Sequence, residues 1–178
     1  MAAAIWSSLS FCPSDPSLGK GANIFLTRFG IRESWGKGDC SYAGNFTVFA
    51  YGSYGNWMGH AKIPATFPDG TSNTILFAEK YNSCGSSWNG GNLWAWGWDP
   101  YLSPVYATTL MQGPQLWQQQ PNPWQTACHP LLASTGHTGG MNVALADGSC
   151  RLLAQGMSPT TFWYATVPND GLPMPPDW

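Results

Sequence analysis

At 178 residues the chain is long enough to bury one substantial core and too short to make two ordinary domains the expectation, so residues 1–178 read as a single globular domain. Only 9% of residues are Asp, Glu, Lys or Arg, while 11 are Trp, 21 Gly and 15 Pro, a balance that suits a loop-rich, mainly β structure with a neutral surface in an extracellular or assembled state. A net charge of −2 with a pI near 5.8 supplies no basic field and no Lys/Arg run to track phosphates, which excludes nucleic acid as an expected partner.

The amino terminus, Met1 to Trp6, lacks the charged segment and apolar core of a secretory signal, so an export signal is expected to be missing or removed. The opening third alternates turn signals (Cys12-Pro-Ser-Asp-Pro16, Gly19-Lys-Gly21) with short apolar runs that leave no room for a long helix. Tyr42 to Tyr51 reads as a strand with Phe46, Val48 and Ala50 on one face and Thr47 and Phe49 on the other. Phe67 to Asn73 is a dense turn cluster, and Thr74 to Tyr81 is a strand. Residues 82–126 form an aromatic, Gly/Pro-rich, loop-like insertion holding Trp88, Trp94, Trp96, Trp98, Trp117 and Trp124. The segment 141–154 is a β-hairpin around Asp147-Gly148, expected as a type I′ turn. Ser158-Pro159 offers an N-cap and a first-turn proline for a short helix over Thr160 to Thr166, and residues 167–178 form a Pro-rich tail. The longest apolar stretches, such as Ile75 to Ala78, fall far short of the ~20 residues a bilayer span needs.

Five cysteines stand at 12, 40, 84, 128 and 150 without Cys-x-x-Cys or zinc-finger spacing. They allow two disulfides and a free thiol, with Cys84–Cys128 the first expected pair; five buried reduced thiols are the alternative. Trp94, Trp96 and Trp98 alternate and would align on one strand face, as a glycan platform together with Trp88 or as a buried stripe. Asp69, followed by Gly70 to Asn73, offers oxygens to Ca²⁺ without EF-hand spacing, and a capped tight turn accounts for the same residues. Enzyme signatures are weak. Gly-x-Ser-x-Gly does not occur, and the carboxylates that a glycosidase pair would draw on (Asp39, Asp69, Glu79, Asp99, Asp147) fall in turns or at strand ends. Asn45-Phe-Thr47 matches a glycosylation sequon inside a predicted strand.

The segment His137-Thr-Gly-Gly-Met-Asn-Val-Ala-Leu-Ala-Asp147-Gly148 places nine residues between a His and an Asp-Gly. It resembles the signature of the bacterial family named for its prepilin-type processing-associated H-x9-DG domain. Further blocks agree in order: Cys12-Pro-Ser-Asp-Pro16, Ser41-Tyr-Ala-Gly-Asn45, Ile63 through Tyr81, Ala133-Ser-Thr135, Thr166 through Gly171, and Asp177-Trp178. The resemblance implies a pseudopilin-like antiparallel sheet with long loops and short helices, an α+β variant of a mainly β fold. It also implies a non-enzymatic extracellular or cell-surface subunit that self-assembles as a homo-oligomer or homopolymer, in a filament or surface layer. The family's N-terminal hydrophobic helix has no counterpart in the sequence. A carbohydrate-binding module with a Trp platform is the alternative. Within the motif, Asp147 and Gly148 suit a hairpin turn. About six extended residues intervene, roughly 20 Å at 3.3 Å each, so His137 is expected to be tied into loop hydrogen bonds away from Asp147, with a metal or catalytic role as the alternative; no cofactor is expected apart from the Ca²⁺ considered at Asp69.

Overall fold

The computed structural model describes residues 11–18, 40–50, 59–85, 91–92 and 100–178. Among the described residues seven strands alternate with short helical pieces: β1 (Tyr42–Asn45), α1 (Phe46–Phe49), a 3₁₀ turn (Thr71–Asn73), β2 (Ile75–Glu79), β3 (Val105–Tyr106), β4 (Gln118–Gln119), α2 (Trp124–Ala127), β5 (Ser134–Thr135), β6 (Gly140–Leu145), β7 (Cys150–Ala154) and α3 (Pro159–Thr166). Five strands form one sheet in the order β3-β1-β2-β6-β7, and β4 pairs with β5 in a small second sheet. The main sheet is antiparallel except at one edge, where β3 runs parallel to β1. A mainly β, α+β class is therefore correct, and the expected antiparallel sheet holds for β1, β2, β6 and β7, with β3 from the insertion added in parallel along β1.

The core lies between one face of this sheet and α3. Ile75, Met141, Val143, Leu145 and Leu153 point inward and meet Phe162 and Ala165 of the helix. Phe162 packs edge-on against Trp117, with centroids 5.3 Å apart. The helix starts where Ser158 and Pro159 predict: the Ser158 hydroxyl accepts from Thr161 N, and Pro159 occupies the first turn, where its missing N–H leaves no bond unmade.

The predicted strand from Tyr42 to Tyr51 stops at Asn45, and residues 51–58 lie outside the described residues. The reason is the asparagine itself. Its Oδ1 accepts from Thr47 N and Thr47 Oγ1, capping the single turn of α1, while its Nδ2 donates to Ile75 O and Thr166 O, each at 2.7 Å. A short polar side chain that satisfies the next backbone N–H ends extended pairing in favour of a helical turn. Because Asn45 is fully buried with both amide hydrogens committed, this fold leaves the sequon no glycan acceptor.

The 141–154 hairpin forms as β6 and β7, but its turn differs from the expected type. Gly148 N donates to Leu145 O, and Leu145 N donates to Ser149 O. Of the two central residues of the predicted turn, only Gly148 has positive φ, at 86°. This is a type I turn closed by a glycine bulge, whereas type I′ requires positive φ at Asp147 as well. Asp147 instead uses its carboxylate locally, accepting from Ser149 N and Ser149 Oγ.

The tail is strapped down by its polar ends. The Asp177 carboxylate accepts from Ser158 N at 2.7 Å and from the Thr161 hydroxyl. Trp178 donates from Nε1 to Asn73 Oδ1 and lies under the Arg151 guanidinium, 4.3 Å from the ring centroid. Among the described residues no helix is long and apolar enough to cross a membrane.

Candidate functional site

β2 ends on Glu79, which is only 3% exposed although a strand-end carboxylate normally reaches solvent. It is held by a complete shell. Thr135 Oγ1 donates to Oε2, and Asn142, from β6, donates its backbone N–H to Oε2 and its side-chain amide to Oε1 at 3.0 Å. His137 Nε2 stands 3.1 Å from Oε1. Cys12 Sγ lies 3.5 Å from the same His137 nitrogen and 3.9 Å from Glu79 Oε1. Three segments far apart in sequence thus converge on one point.

Two anchors bring Cys12 there. Asp15, buried three residues further on, accepts from Ser17 N, Ser17 Oγ, Ser41 Oγ and Asn82 N, tying the Cys12-Pro-Ser-Asp-Pro16 turn to the start of β1 and the end of β2. Gly136 lets this turn sit against the His137 loop, since a Cβ there would fall 1.8 Å from Ser14 O. His137 is oriented from its other side: its N–H donates to Thr135 Oγ1, its carbonyl accepts from Gln119 Nε2, and Gln120 Nε2 binds the carbonyl of Gly136. Gln119 and Gln120, which in sequence belong to an irregular insertion, clamp this loop.

Burial, joined by the charges of Glu79 and Asp15, pushes the Cys12 thiol above its ordinary 9.0, so it is protonated at neutral pH. A raised thiol is a poor nucleophile. The geometry differs from a Cys-His-acid relay too. Such a relay uses both ring nitrogens of the histidine, whereas here sulfur and carboxylate address the same one. Sulfur, imidazole nitrogen and carboxylate oxygen together are the donor set of zinc-class cations.

Beside this cluster, on the same outer face of the sheet, runs an apolar groove of about 420 Å³ lined by Tyr42, Phe49, Phe77, Pro104 and Val105 among others. Phe49 and Phe77 stack at 5.3 Å between centroids yet remain 39% and 44% exposed. Lys80, fully buried, donates from Nζ to Ser103 O and Val105 O and so fixes β3 as the groove's wall.

The structure separates the two ends of the His-x9-Asp-Gly motif: His137 belongs to the cluster, Asp147 to its own turn. Asp69 accepts from the backbone N–H groups of Asp170 and Gly171, which places the calcium candidate in a tail clasp. Asp39, Trp88, Trp94, Trp96, Trp98 and Asp99 lie outside the described residues. Trp117 and Trp124 are buried. Cys84 and Cys128 form the expected disulfide, closing the base of the insertion, while Cys12 and Cys150 stand outside it as thiols. Sequence spacing missed Cys12 and saw Glu79 only as one carboxylate among several; the available signal was that both, like His137, stand inside the ordered blocks quoted above.

Over residues 2–159 the chain matches the family described as "Protein of unknown function (DUF1559)", and it belongs to that family, one of bacterial surface proteins with a prepilin-like context. Comparison with curated proteins and with solved structures finds no match. The family and the disulfide, a bond that persists in oxidising compartments, are compatible with a location outside the cytoplasm.

Proposed function

We propose that the chain is a non-enzymatic subunit of the bacterial cell surface or exterior that self-associates, in a filament or layer of the prepilin-like kind its H-x9-DG resemblance implies, through the outer face of its main sheet. The observation that carries this reading is the groove at Phe49 and Phe77. Large apolar side chains clustered on one exposed face are a liability in a free monomer and an asset at a subunit contact. The sparse charge of the chain argues for a second copy as occupant, because partners of low charge associate by apolar burial and have little electrostatic steering to offer.

Negative-stain microscopy and sedimentation of the full chain test the reading. Regular assemblies, or association that rises with concentration, are expected, and Phe77→Asp should shift the chain to monomer without loss of fold. Dispersed monomers that bind polysaccharide saturably would overturn it in favour of a glycan-binding module built on Trp88, Trp94, Trp96 and Trp98.

A further inference from the structure

We propose that Cys12, Glu79 and His137 form a three-ligand site for a zinc-class divalent cation. The donor atoms of the three side chains all lie within 4.8 Å of one another, and their separations match a tetrahedral metal centre. With Zn–S near 2.3 Å and Zn–N or Zn–O near 2.05 Å, tetrahedral edges come to roughly 3.3 Å for N to O and roughly 3.6 Å for S to N or O. The observed 3.1, 3.5 and 3.9 Å fall within about 0.4 Å of these values.

Hydrogen bonding alone can hold the cluster through Glu79, with His137 Nε2 and the Cys12 thiol both donating to Oε1, but the second of these spans 3.9 Å, and His137 Nε2 cannot donate to the carboxylate and accept from the thiol at once. A cation at the centre satisfies all three atoms at once. Binding moves the imidazole proton to Nδ1 and releases the thiol proton to solvent, so the thiolate, the neutral ring and the carboxylate leave the bound ion neutral in net charge. The surrounding bonds are those a metal site requires. Asn142 and Thr135 orient the carboxylate, and Thr135 with Gln119 orients the histidine loop, as outer-shell partners do in zinc proteins. Glu79 and Cys12 are buried while the His137 side chain is 35% exposed, which gives the ion an entry path and leaves the fourth coordination position on the solvent side. The site is a cross-link: it pins the turn at residue 12, the end of β2 and the loop before β6 to one another.

Titration of the full chain, Cys84–Cys128 bond intact, with Co²⁺ as a spectroscopic substitute and then with Zn²⁺ in competition tests the proposal. One Co²⁺ per chain is expected, with tetrahedral visible bands and a thiolate-to-cobalt charge-transfer band, all displaced by Zn²⁺. Cys12→Ser should abolish the charge-transfer band, and Asn142→Ala should weaken binding by ~10–100-fold. Cys150→Ser and Asp147→Asn should change nothing. His137→Ala, at a partly exposed position, reads the site even if a Glu79 variant does not fold. A titration without a thiolate band would overturn the proposal, as would a band that survives Cys12→Ser or disappears in Cys150→Ser.

Discussion

The two ends of the nine-residue spacer between His137 and Asp147 are built on different principles. Around His137 the side-chain contacts are long-range: Glu79 is 58 residues away and Cys12 is 125, and the loop is gripped by glutamines from a separate sheet. Around Asp147 the side-chain contacts are local, made to Ser149 two residues on, and the turn faces solvent. A short motif can therefore join a tertiary anchor to a secondary-structure device, and its fixed length reflects one strand, β6, running between them.

The sharpest way to break this contrast is Glu79→Ala. It strands the Thr135 hydroxyl, the Asn142 amide and the His137 ring around an apolar gap, and should destabilise the fold by about 3 kcal/mol, measured by urea unfolding. The matching change at the other end cannot approach that. Alanine at Gly136, with its Cβ driven into Ser14 O, should lose roughly 2–3 kcal/mol by overpacking, whereas alanine at Gly148, where φ is 86° and nothing lies within 4 Å of a new Cβ, should lose only about 1 kcal/mol through backbone strain. Equal losses in the two alanine variants would erase the distinction.

The smallest effect is electrostatic. Hydrogen bonds from the Ser149 hydroxyl and backbone N–H hold the Asp147 carboxyl below its ordinary 3.8. Since the folded value is the lower one, the turn's contribution is complete above the ordinary carboxylate range and is lost only as pH falls through the depressed value. Following the Ser149 amide by NMR should give a midpoint below 3.8, and Ser149→Ala should move it back up.

What could be read from the sequence was what is decided locally. Ser158 and Pro159 mark their helix, Asp147-Gly148 marks a hairpin, and the run from Ile75 to Glu79 is β-branched or apolar enough to be a strand. Where a single side chain arbitrates between two local outcomes, reading failed: Asn45 turns a plausible strand into a helical turn, and Asp147 bonds forward to Ser149 in place of adopting positive φ. The cluster was illegible for another reason. Its members share no spacing, because the topology sets β2 beside β6 and the Asp15 anchor swings the Cys12 turn over them, and neither relation is written in the distance between residues.

The Cys84–Cys128 bond, with 44 residues of sequence separation, has a bearing on durability. A protease that cuts the insertion between those two cysteines does not release a fragment: the halves stay one covalent molecule, and the strands β1, β2, β6 and β7 lie outside the cut loop. A single nick in the insertion therefore leaves β1 and β2 covalently joined to β6 and β7 through the disulfide. Against a protease, that separates wear from failure.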